Sequence, residues 1–451
     1  MTNYQTLQRY GLFDKRVPRY TSYPPANQFQ VGVGSEHHSQ WLQSVPDDEV
    51  VSLYVHIPFC RRLCWFCACR TQGTQSAGPV DDYIETLKVE IDLVRKNLPA
   101  NITLGRLHLG GGTPTILTAR QMASLLETIF SKFSRSNEFE FSVEIDPTDA
   151  EPSLVESLVE NGLNRASIGI QDFSPRVQAA IGRLQSIDQT HWVVERLRKA
   201  NVPSLNFDLL YGLPYQSEES LKATLEQAVE LQPDRVALYG YAHVPWMSKR
   251  QVMIDESALP SSEDRFQLEE FSRAYLLGER YLPVGTDHFA KPADSLAKAA
   301  NARRMRRNFQ GFTDDQAATL IGLGASAISH FRQGYLQNAV STAAYLGRLR
   351  EGELVANKGF VLGERDLIVG AMIEELMCYG SIDKISLSER FPAANTTIDG
   401  FANKLVAAFP DVLDKSETGL SIPKEFAPLT RIIAGHLDQF SRVETAHSLA
   451  V

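Results

Sequence analysis

The sequence predicts an α/β protein: a partial (β/α)6 barrel, preceded by an N-terminal arm and followed by a mainly helical C-terminal domain. Two observations predict this fold. Short apolar runs alternate with amphipathic segments between Asp48 and Tyr241, and the alternation stops after about residue 290. We therefore divide the 451 residues into an arm over 1–47, a barrel over 48–290 and a helical domain over 291–451.

The apolar runs are the predicted strands of the barrel. All but the third are apolar almost throughout, which is typical of strands buried on both faces of a parallel sheet. The runs are VVSLYVHI (50–57), RLHLGG (106–111), FEFSVEID (139–146), RASIGI (165–170), SLNFDLLYG (204–212) and RVALYGY (235–241).

The segments between the strands have the periodicity of helices. In VDDYIETLKVEIDLVRKNL (80–98), apolar residues recur at spacings of four and three, and Asp81 or Asp82 is the expected N-cap. Gly162 is expected to cap the C-terminal end of the helix before it. Further helices are predicted at 119–134, 152–161, 175–182, 188–200 and 218–231.

Consecutive strand–helix units favour a parallel sheet with right-handed crossovers. A closed TIM barrel needs about eight units, so an open barrel is expected here, although a doubly wound sheet fits the periodicity equally well. The arm contains PRYTSYPPANQF (18–29) and has little periodicity, so we expect it to be ordered and extended. Beyond residue 290, apart from an apolar stretch near 318–330, helical patterns such as ERDLIVGAMIEELM (364–377) dominate.

The composition is ordinary for a globular protein, with 43% hydrophobic and 22% charged residues. The formal net charge of −9 argues against a nucleic acid or an anionic membrane as a partner. No stretch approaches the ~20 apolar residues of a membrane span, and the polar N-terminus MTNYQTLQRYGLFDKR lacks the apolar run of a signal peptide. We therefore expect a cytoplasmic protein with no membrane partner.

Four of the five cysteines fall within ten residues, in CRRLCWFCAC (60–69). Such a cluster in an otherwise cysteine-poor chain indicates metal binding rather than disulfides. The fifth cysteine, Cys378, lies alone in IEELMCYG, and we expect it to be a buried packing residue.

The spacing of Cys60, Cys64 and Cys67 suits a [4Fe–4S] cluster. Thiolates at i, i+4 and i+7 can bind three irons of a cubane from one loop and leave the fourth iron open. The alternative is a zinc site, which uses separated CxxC pairs, but the next cysteine, Cys69, is too close to Cys67 to form a second pair. An open iron can chelate the amino and carboxylate groups of S-adenosylmethionine (SAM). We therefore predict a radical SAM barrel, in which one electron from the cluster breaks the sulfonium C–S bond and leaves a 5′-deoxyadenosyl radical.

Further candidate residues stand at the ends of the predicted strands. GGGTPT (110–115) follows the second strand, and its glycines allow close backbone approach to the SAM amino group, although a plain turn is the alternative. Glu144, Gln171 and Asp208 stand at the ends of three other strands. Because the carboxyl ends of barrel strands meet at one mouth, we expect these side chains to line the SAM site. A loop or capping role is the alternative.

In ten short stretches between about Arg19 and Ile328, which include these residues, the chain resembles the family of oxygen-independent coproporphyrinogen III oxidases. The matching stretches are PRYTSYPPANQF, SLYVHIPFCRRLCWFCAC, LHLGGGTPT, EIDPT, GIQDF, NFDLLYGLP, YAHVP, DHFAKP, RNFQGFT and LGASAIS.

The resemblance implies a radical SAM oxidoreductase of haem biosynthesis. In this family, two propionate side chains of coproporphyrinogen III lose CO₂ and become vinyl groups, giving protoporphyrinogen IX without oxygen. The deoxyadenosyl radical takes a β-hydrogen atom from the propionate, and loss of CO₂ and of one electron completes the vinyl group. The resemblance also implies a monomer, an electron donor for the cluster and an electron acceptor, and the sequence identifies neither of these two partners.

The resemblance also implies the site residues. Cys60, Cys64 and Cys67 match the cluster ligands, whereas Cys69 matches a cysteine that is not a ligand but matters for activity, with simple packing as the alternative. We expect Cys69, Tyr54 and Glu144 to be catalytic. Two SAM molecules are implied, and the positions that match their contacts are Tyr54, Phe66, Gly111, Gly112, Thr113, Glu144, Gln171, Arg183, Asp208, Ala242 and Ile328.

The implied substrate carries four carboxylates, which guanidinium groups bind well. Candidates are Arg19 in the arm and Arg307 before NFQGFT, while most of RRMRR (303–307) is a solvated basic face. Tyr20 and Tyr23 either pack over the tetrapyrrole or anchor the arm, which is expected to cover the active site.

Three other functions compete with this one. The first is a haem-binding chaperone of the same superfamily, which lacks the RYTSYP arm and usually the CxC at the end of the cysteine loop. The second is a tetrapyrrole-modifying radical SAM enzyme, such as a haem-opening methyltransferase, and the third is a zinc-stabilised structural barrel.

Overall fold

The computed structural model describes residues 3–440 and 448–451. The arm and the strand–helix units contain these elements: α1 (Asn3–Tyr10), α2 (Ser35–Gln43), β1 (Val50–Ile57), β2 (Phe59–Cys60), β3 (Gln72–Gly73), α3 (Gly78–Asn97), β4 (Thr103–Gly111), α4 (Ala119–Lys132), β5 (Ser134–Ile145), α5 (Pro152–Glu160), β6 (Arg165–Gln171), α6 (Pro175–Ala180), α7 (Ile187–Lys199), β7 (Ser204–Tyr211), α8 (Glu218–Glu230) and β8 (Arg235–Gly240).

The rest of the chain continues with helices and short strands. In order these are α9 (Ser262–Gly278), β9 (Leu282–Val284), β10 (His288–Ala290), α10 (Ser295–Asn301), β11 (Arg306–Asn308), β12 (Gly311–Thr313), β13 (Leu320–Leu323), β14 (Ile328–Phe331), β15 (Gly334–Asn338), α11 (Thr342–Arg350), β16 (Ala356–Val361), α12 (Glu364–Tyr379), β17 (Ser381–Asp383), α13 (Lys384–Arg390), α14 (Asn395–Ala408), β18 (Asp414–Lys415), β19 (Gly419–Ser421) and α15 (Thr430–Gly435). Short 3₁₀ helices stand at Ala26–Gln28, Pro114–Ile116, Lys249–Met253, Glu256–Ala258, Pro392–Ala394 and Lys424–Leu429.

One 12-stranded sheet organises the molecule, in the order β16-β15-β14-β13-β1-β4-β5-β6-β7-β8-β10-β9. The strands from β13 to β8 in this order are parallel, and antiparallel strands extend both edges. From β1 to β8 the order in space follows the order in the chain. In a doubly wound sheet the strand order reverses at a switch point. The strand order seen here has no such reversal between β1 and β8, so it favours the partial barrel over the doubly wound sheet. The predicted fold class is confirmed.

The barrel elements lie close to their predicted positions, with two corrections. Helix α3 begins at Gly78 rather than at Asp81 or Asp82, because Pro79 fits the first helical turn and its N-cap is Ala77. Strand β5 begins at Ser134 rather than 139, because its first residues pair with Thr103 and Leu104 of β4. Gly162 caps α5 as predicted, with φ of 91° and a Schellman bond from Leu163 N–H to Leu158 O of 3.0 Å.

The prediction that helices dominate from residue 291, apart from an apolar stretch near 318–330, is wrong for β11, β12, β15 and β16, although α11 is helical. Strands β13–β16 extend the barrel sheet, and β13 pairs in parallel with β1. Strands β11–β16 are three to six residues long, too short to produce a clear alternating pattern in the sequence. From Glu364 onward, helices do dominate.

The arm contains two helices, α1 and α2, so the expectation of an extended arm is wrong at both ends. Between them it crosses from the C-terminal part of the chain to the barrel. Arg16 bridges to Leu449, and Gln30 bridges to Gly359 within β16. The buried rings of Tyr20 and Tyr23 belong to the same apolar cluster as α12 and α15, which anchors the arm.

Within the described ranges, no helix is both long and apolar enough to cross a membrane.

Candidate active site

The cysteine loop lies between the first two strands of the barrel. The loop follows β1 and begins with β2. Because β2 pairs in parallel with β3, a two-residue strand lies at each end of the loop. The Trp65 N–H donates to Ile181 O at 2.9 Å, and the Gln251 amide donates to Phe66 O at 2.7 Å. These bonds fix the loop against the end of α6 and against the 3₁₀ helix Lys249–Met253.

A cavity of about 430 Å³ opens beside this loop at the carboxyl ends of the strands. It brings together most of the residues that the sequence predicted for the site. Those that line it are Cys60, Cys64, Phe66, Cys67, Cys69, Gly111, Gly112, Thr113, Glu144, Gln171, Arg183 and Asp208.

Three predicted site residues stand outside the cavity wall. The ring of Tyr54 stacks on His108, with ring centroids 5.7 Å apart, and His108 is itself a lining residue. The carbonyl of Ala242 accepts a hydrogen bond from the Gln251 amide at 3.1 Å. Ile328 is the first residue of β14, next to β13 in the sheet.

The cysteines differ in their electrostatic surroundings. Burial raises the pKa of Cys60 to about 11. The thiol and backbone N–H of Cys69 donate to the Cys67 sulfur and, with the Arg250 and Arg183 charges, lower the pKa of Cys67. The same thiol contact raises the pKa of Cys69. Negative charge in this pair is therefore favoured on Cys67.

The glycine loop is held tightly against the residues that precede the cysteines. Gly112 N–H donates to Ile57 O at 2.8 Å, and Thr113 N–H donates to Phe59 O at 2.8 Å. A Cβ atom on Gly112 would stand 2.5 Å from Phe59 O, so only glycine fits. Gly111 has φ of 114°, a conformation that favours glycine.

Glu144 joins this loop to the next strand. Its carboxylate accepts the Gly111 N–H at 3.0 Å and lies 3.4 Å from His108 Nε2. Burial alone would raise the pKa of Glu144, but the contacts with His108 and Gly111 outweigh burial and lower it. The side chain therefore presents a negative charge to the cavity.

Asp208 forms a second acidic position on β7. Ser167 Oγ and Asn206 Nδ2 each donate to its carboxylate at 2.9 Å. Burial raises the pKa of Asp208 to about 6. Strand β6 lies between the strands that carry Glu144 and Asp208, and Gln171 is its last residue. The φ of Gln171 is 71°, a strained backbone conformation that is common at functional sites.

Arg183 supplies positive charge beside the cysteines. Its guanidinium lies 3.6 Å from the Cys64 sulfur and 3.0 Å from Asp146, and it donates to Gly169 O at 2.8 Å. Arg183 Nε is buried, and no described residue accepts its hydrogen bond.

Several cavity residues were missed by the sequence analysis. They are His108, Ser142, Ser167, Asn206, Tyr239 and His288. A signal was available, because Ser142 and Asn206 stand two residues before Glu144 and Asp208, and residues two apart on a strand share a face. The β11–β12 hairpin also reaches the cavity through Gln310 and Phe312.

The two candidate substrate arginines lie where the arm meets the barrel. Arg19 donates to Gly240 O, at the end of β8, at 2.6 Å. Arg307 donates to the carbonyls of Tyr20 and Arg19 at 3.1 Å each. The Nη1 atom of Arg307 is buried without a hydrogen-bond partner in the described part of the chain.

The donor set at the cysteine loop fits an iron–sulfur cluster. Among the described residues, no three His, Cys, Asp or Glu side chains surround a point where a single metal ion would sit. Cys60, Cys64 and Cys67 instead line the cavity from one loop. Thiolates on one loop, with the Arg183 cation beside them, suit a multi-iron cluster whose remaining face is open.

Comparisons with known proteins agree with this geometry. Residues 54–228 match the model of the radical SAM superfamily. The chain is 47% identical over its full length to the full length of an oxygen-independent coproporphyrinogen III oxidase of Cereibacter sphaeroides. It is 46% identical, again over both full lengths, to the enzyme of that name from Paracoccus denitrificans.

A solved structure supports the same relationship. The coproporphyrinogen III oxidase of Escherichia coli, described as a radical SAM enzyme, superimposes with a TM-score of 0.89 at 33% identity, covering 94% of this chain and 97% of that one.

Proposed function

The chain belongs to the family of oxygen-independent coproporphyrinogen III oxidases, and from this premise we propose that it converts two propionate side chains of coproporphyrinogen III into vinyl groups, giving protoporphyrinogen IX. The observation that carries the proposal is the shared cavity. The thiol groups of Cys60, Cys64 and Cys67 line the same space as Glu144 and Asp208, at the mouth of the barrel.

Each propionate must lose one hydrogen atom, CO₂ and one electron. The hydrogen atom leaves from the β-carbon, the bond to the carboxylate then breaks, and the remaining electron passes to an acceptor. When bound, the [4Fe–4S] cluster and SAM supply the 5′-deoxyadenosyl radical that takes the hydrogen atom. Cys60, Cys64 and Cys67 are the residues that would hold the cluster.

The protein's own groups orient the cofactor and substrate. The negative charge of Glu144 suits the SAM amino group, and the bond from Gly111 N–H fixes the direction of that carboxylate. Arg183 stabilises negative charge on the cysteine sulfurs. Tyr54 contacts His108 rather than the cavity, so we assign it a positioning role.

We further propose that two SAM molecules bind. Glu144 and Asp208 lie on β5 and β7, which β6 separates, so the two acidic positions stand roughly 10 Å apart at the usual strand spacing. Gln171 accompanies Asp208, whereas the glycine loop accompanies Glu144. Two separate polar sets suit two cofactor molecules, with Phe66, Thr113, Ala242 and Ile328 as further candidate contacts.

Arg19 and Arg307 are the proposed partners of the substrate carboxylates. Both stand at the junction of arm and barrel, and Arg307 Nη1 is a buried donor whose hydrogen bond is available. Burial of Tyr20 and Tyr23 favours the anchoring role for these rings over packing on the tetrapyrrole. The arm then keeps water away from the radical.

The test is anaerobic turnover with reconstituted cluster, SAM, reductant, an electron acceptor and coproporphyrinogen III. We expect 5′-deoxyadenosine and a product with two vinyl groups. Tight haem binding without either product would favour the chaperone instead. The full-length similarity to named oxidases disfavours that alternative.

A further inference from the structure

The motif DHFAKP supplies two polar side chains, Asp287 and His288, that the proposed function does not use. His288 is the first residue of β10, which pairs with β8 at the end of the parallel part of the sheet. It is 7% exposed and lines the cavity that the cysteines line. Its Nδ1 atom lies 2.7 Å from Asp287 Oδ1. The cavity therefore contains a histidine–carboxylate pair without an assigned role.

Asp287 determines which nitrogen of the imidazole carries the proton. Burial alone would raise the pKa of Asp287, but the contact with His288 and two arginine charges lower it to about 2. The carboxylate is therefore charged and accepts the Nδ1–H of His288. In the neutral ring Nε2 then carries the lone pair, because the two ring nitrogens share one proton.

The Nε2 atom of His288 is available to a ligand. The Tyr239 hydroxyl lies 3.4 Å from it, which is long for a hydrogen bond. On the β11–β12 hairpin, a Cβ atom at Gly311 would stand 3.7 Å from Nε2 and 3.6 Å from the Tyr239 hydroxyl. Because glycine lacks that atom, room is left beside both groups. Within the described ranges, Nε2 has no hydrogen-bond partner other than Tyr239.

Aromatic rings hold the imidazole in place. The His288 ring packs edge-on against Phe312, with ring centroids 5.3 Å apart, and against Tyr239 at 5.6 Å. The Arg307 guanidinium lies 4.2 Å from the centroid of the same Phe312 ring. One phenyl ring therefore contacts both the imidazole and a cation proposed for a substrate carboxylate.

The four carboxylates that line the cavity already have partners or roles. Glu140 and Asp146 form ion pairs with arginines. Glu144 and Asp208 are the groups proposed for the two SAM molecules. On the wall formed by β8 and β10, Nε2 of His288 is thus the acceptor that remains for the substrate.

The proposed substrate carries two kinds of polar group, which are the carboxylates at its edge and the pyrrole N–H groups at its centre. Guanidinium groups suit the carboxylates, whereas a pyrrole N–H needs an acceptor. We propose that Nε2 of His288 accepts a hydrogen bond from a pyrrole N–H of the tetrapyrrole, and that this bond strengthens when the substrate radical loses its electron. The inference rests on the proposed function, because it takes coproporphyrinogen III as the substrate.

The strengthening follows from the chemistry of the electron loss. Removal of the β-hydrogen atom leaves a radical on the carbon attached to the pyrrole. When this radical gives one electron to the external acceptor, positive charge spreads to the pyrrole nitrogen and makes its N–H a stronger donor. The bond to the carboxylate then breaks, its electron pair completes the vinyl group, CO₂ leaves and the nitrogen keeps its proton. A hydrogen bond that is stronger at this step than in the bound substrate lowers the barrier.

The first test measures binding of coproporphyrinogen III to the cluster-loaded enzyme without reductant, at pH 8, where an ordinary imidazole is neutral. Anaerobic ultrafiltration separates the bound ligand, which is then oxidised to fluorescent coproporphyrin and quantified. His288→Leu removes the acceptor, whereas His288→Gln offers an amide oxygen in its place. We expect the dissociation constant to rise about three- to tenfold in His288→Leu and less in His288→Gln, with the iron content and SAM affinity of the wild type.

The matched control is His191→Leu, which removes an exposed histidine of α7. This variant should bind coproporphyrinogen III as the wild type does. Equal binding by the wild type and His288→Leu would overturn the proposal.

The tetramethyl ester of coproporphyrinogen III distinguishes the two groups of the substrate. The ester keeps the pyrrole N–H groups and lacks the carboxylate charges. We expect His288→Leu to weaken binding of the ester by the same factor as binding of the acid. A loss of affinity that disappears with the ester would also overturn the proposal, because the imidazole would then bind a carboxylate.

The second test is turnover at saturating substrate. We expect kcat for vinyl product to fall about tenfold in His288→Leu and to recover partly in His288→Gln. An unchanged kcat together with a raised dissociation constant would contradict the strengthening of the bond at electron loss. Absence of vinyl product from the wild-type enzyme, with the expected binding ratios, would refute the proposed function and support the assignment of Nε2 alone.

Discussion

The carboxylate of Glu144 accepts a hydrogen bond from the backbone N–H of Gly111 at 3.0 Å, across two neighbouring strands. This contact joins the glycine loop to the acidic side of the cavity. It fixes the negative charge of Glu144 beside the cysteine loop.

Glu144→Gln should weaken SAM binding while the cluster stays in place. The amide oxygen can still accept from Gly111, but the charge for the SAM amino group is lost. A hydrogen bond to a charged group contributes about 1.5–3 kcal/mol, so we expect SAM affinity to fall roughly 10- to 100-fold. Equilibrium binding of SAM to the cluster-loaded protein measures this. Glu138→Gln, an exposed residue on the same strand, is the control; equal effects of both changes would contradict the assignment.

Gly112→Ala should disrupt the cysteine loop. The added methyl group would stand 2.5 Å from Phe59 O and 2.9 Å from Ile57 O. Backbone atoms cannot yield as a flexible side chain does, so we expect a loss of about 1–3 kcal/mol of stability and a lower iron content. Gly347→Ala is the matched control, because a Cβ there meets nothing within 4 Å. Full iron content in Gly112→Ala would show that the loop tolerates the displacement.

Cys69→Ser should keep the cluster and lose turnover. Cys69 lines the cavity beside Cys67 but is the fourth cysteine on a loop that needs only three ligands. Iron content and the cluster's electronic spectrum should match the wild type, while vinyl product falls at least about tenfold, as for a group that acts in the transition state. Cys60→Ser, in contrast, should lose the cluster. Full activity of Cys69→Ser would show that Cys69 is only a packing residue. Loss of iron in this variant would show that Cys69 is a cluster ligand.

Glu90 should make stability depend on pH. It is fully buried on α3, and its carboxylate accepts hydrogen bonds from Gly324 N–H, Asn338 and Tyr345. Burial raises its pKa to about 7 in spite of these bonds. The folded state then holds a proton that the unfolded state has released, so this contribution to stability is full below the unfolded pKa and is lost as pH rises to about 7.

The measurement is the difference in unfolding free energy between wild type and Glu90→Gln. The neutral glutamine does not titrate. Its amide NH₂ group would face hydrogen-bond donors and could not accept from them, so the variant should be less stable by about 1–3 kcal/mol at pH 5. That difference should shrink as pH rises toward 8, by on the order of 3 kcal/mol at most. A difference that stays constant from pH 5 to 8 would show that Glu90 titrates at its ordinary pKa.

The parallel part of the barrel could be predicted from sequence because each strand is a clear apolar run. The strands after residue 306 could not, because their few residues are stabilised by pairing with partners far away in the chain, such as Leu320 with Ser52. The start of α3 differs from the prediction because Pro79 occupies the first helical turn. Proline is favoured at that position, so the helix begins before Asp81 and Asp82.

The candidate site could be predicted wherever a residue type implies chemistry. Cysteine spacing, a glycine loop and strand-end carboxylates are such signals, and most of these residues line one cavity. His108, Ser142 and Asn206 carry no such signal, because their place at the site depends on the register between strands.

The central claim is radical removal of a hydrogen atom from a propionate. The most direct measurement uses coproporphyrinogen III with deuterium at the β-positions of the propionates and follows deuterium by mass spectrometry in 5′-deoxyadenosine. We predict that deuterium appears in 5′-deoxyadenosine together with the vinyl product. Vinyl product accompanied by unlabelled 5′-deoxyadenosine, or labelled substrate recovered unchanged with haem bound tightly to the protein, would contradict the claim.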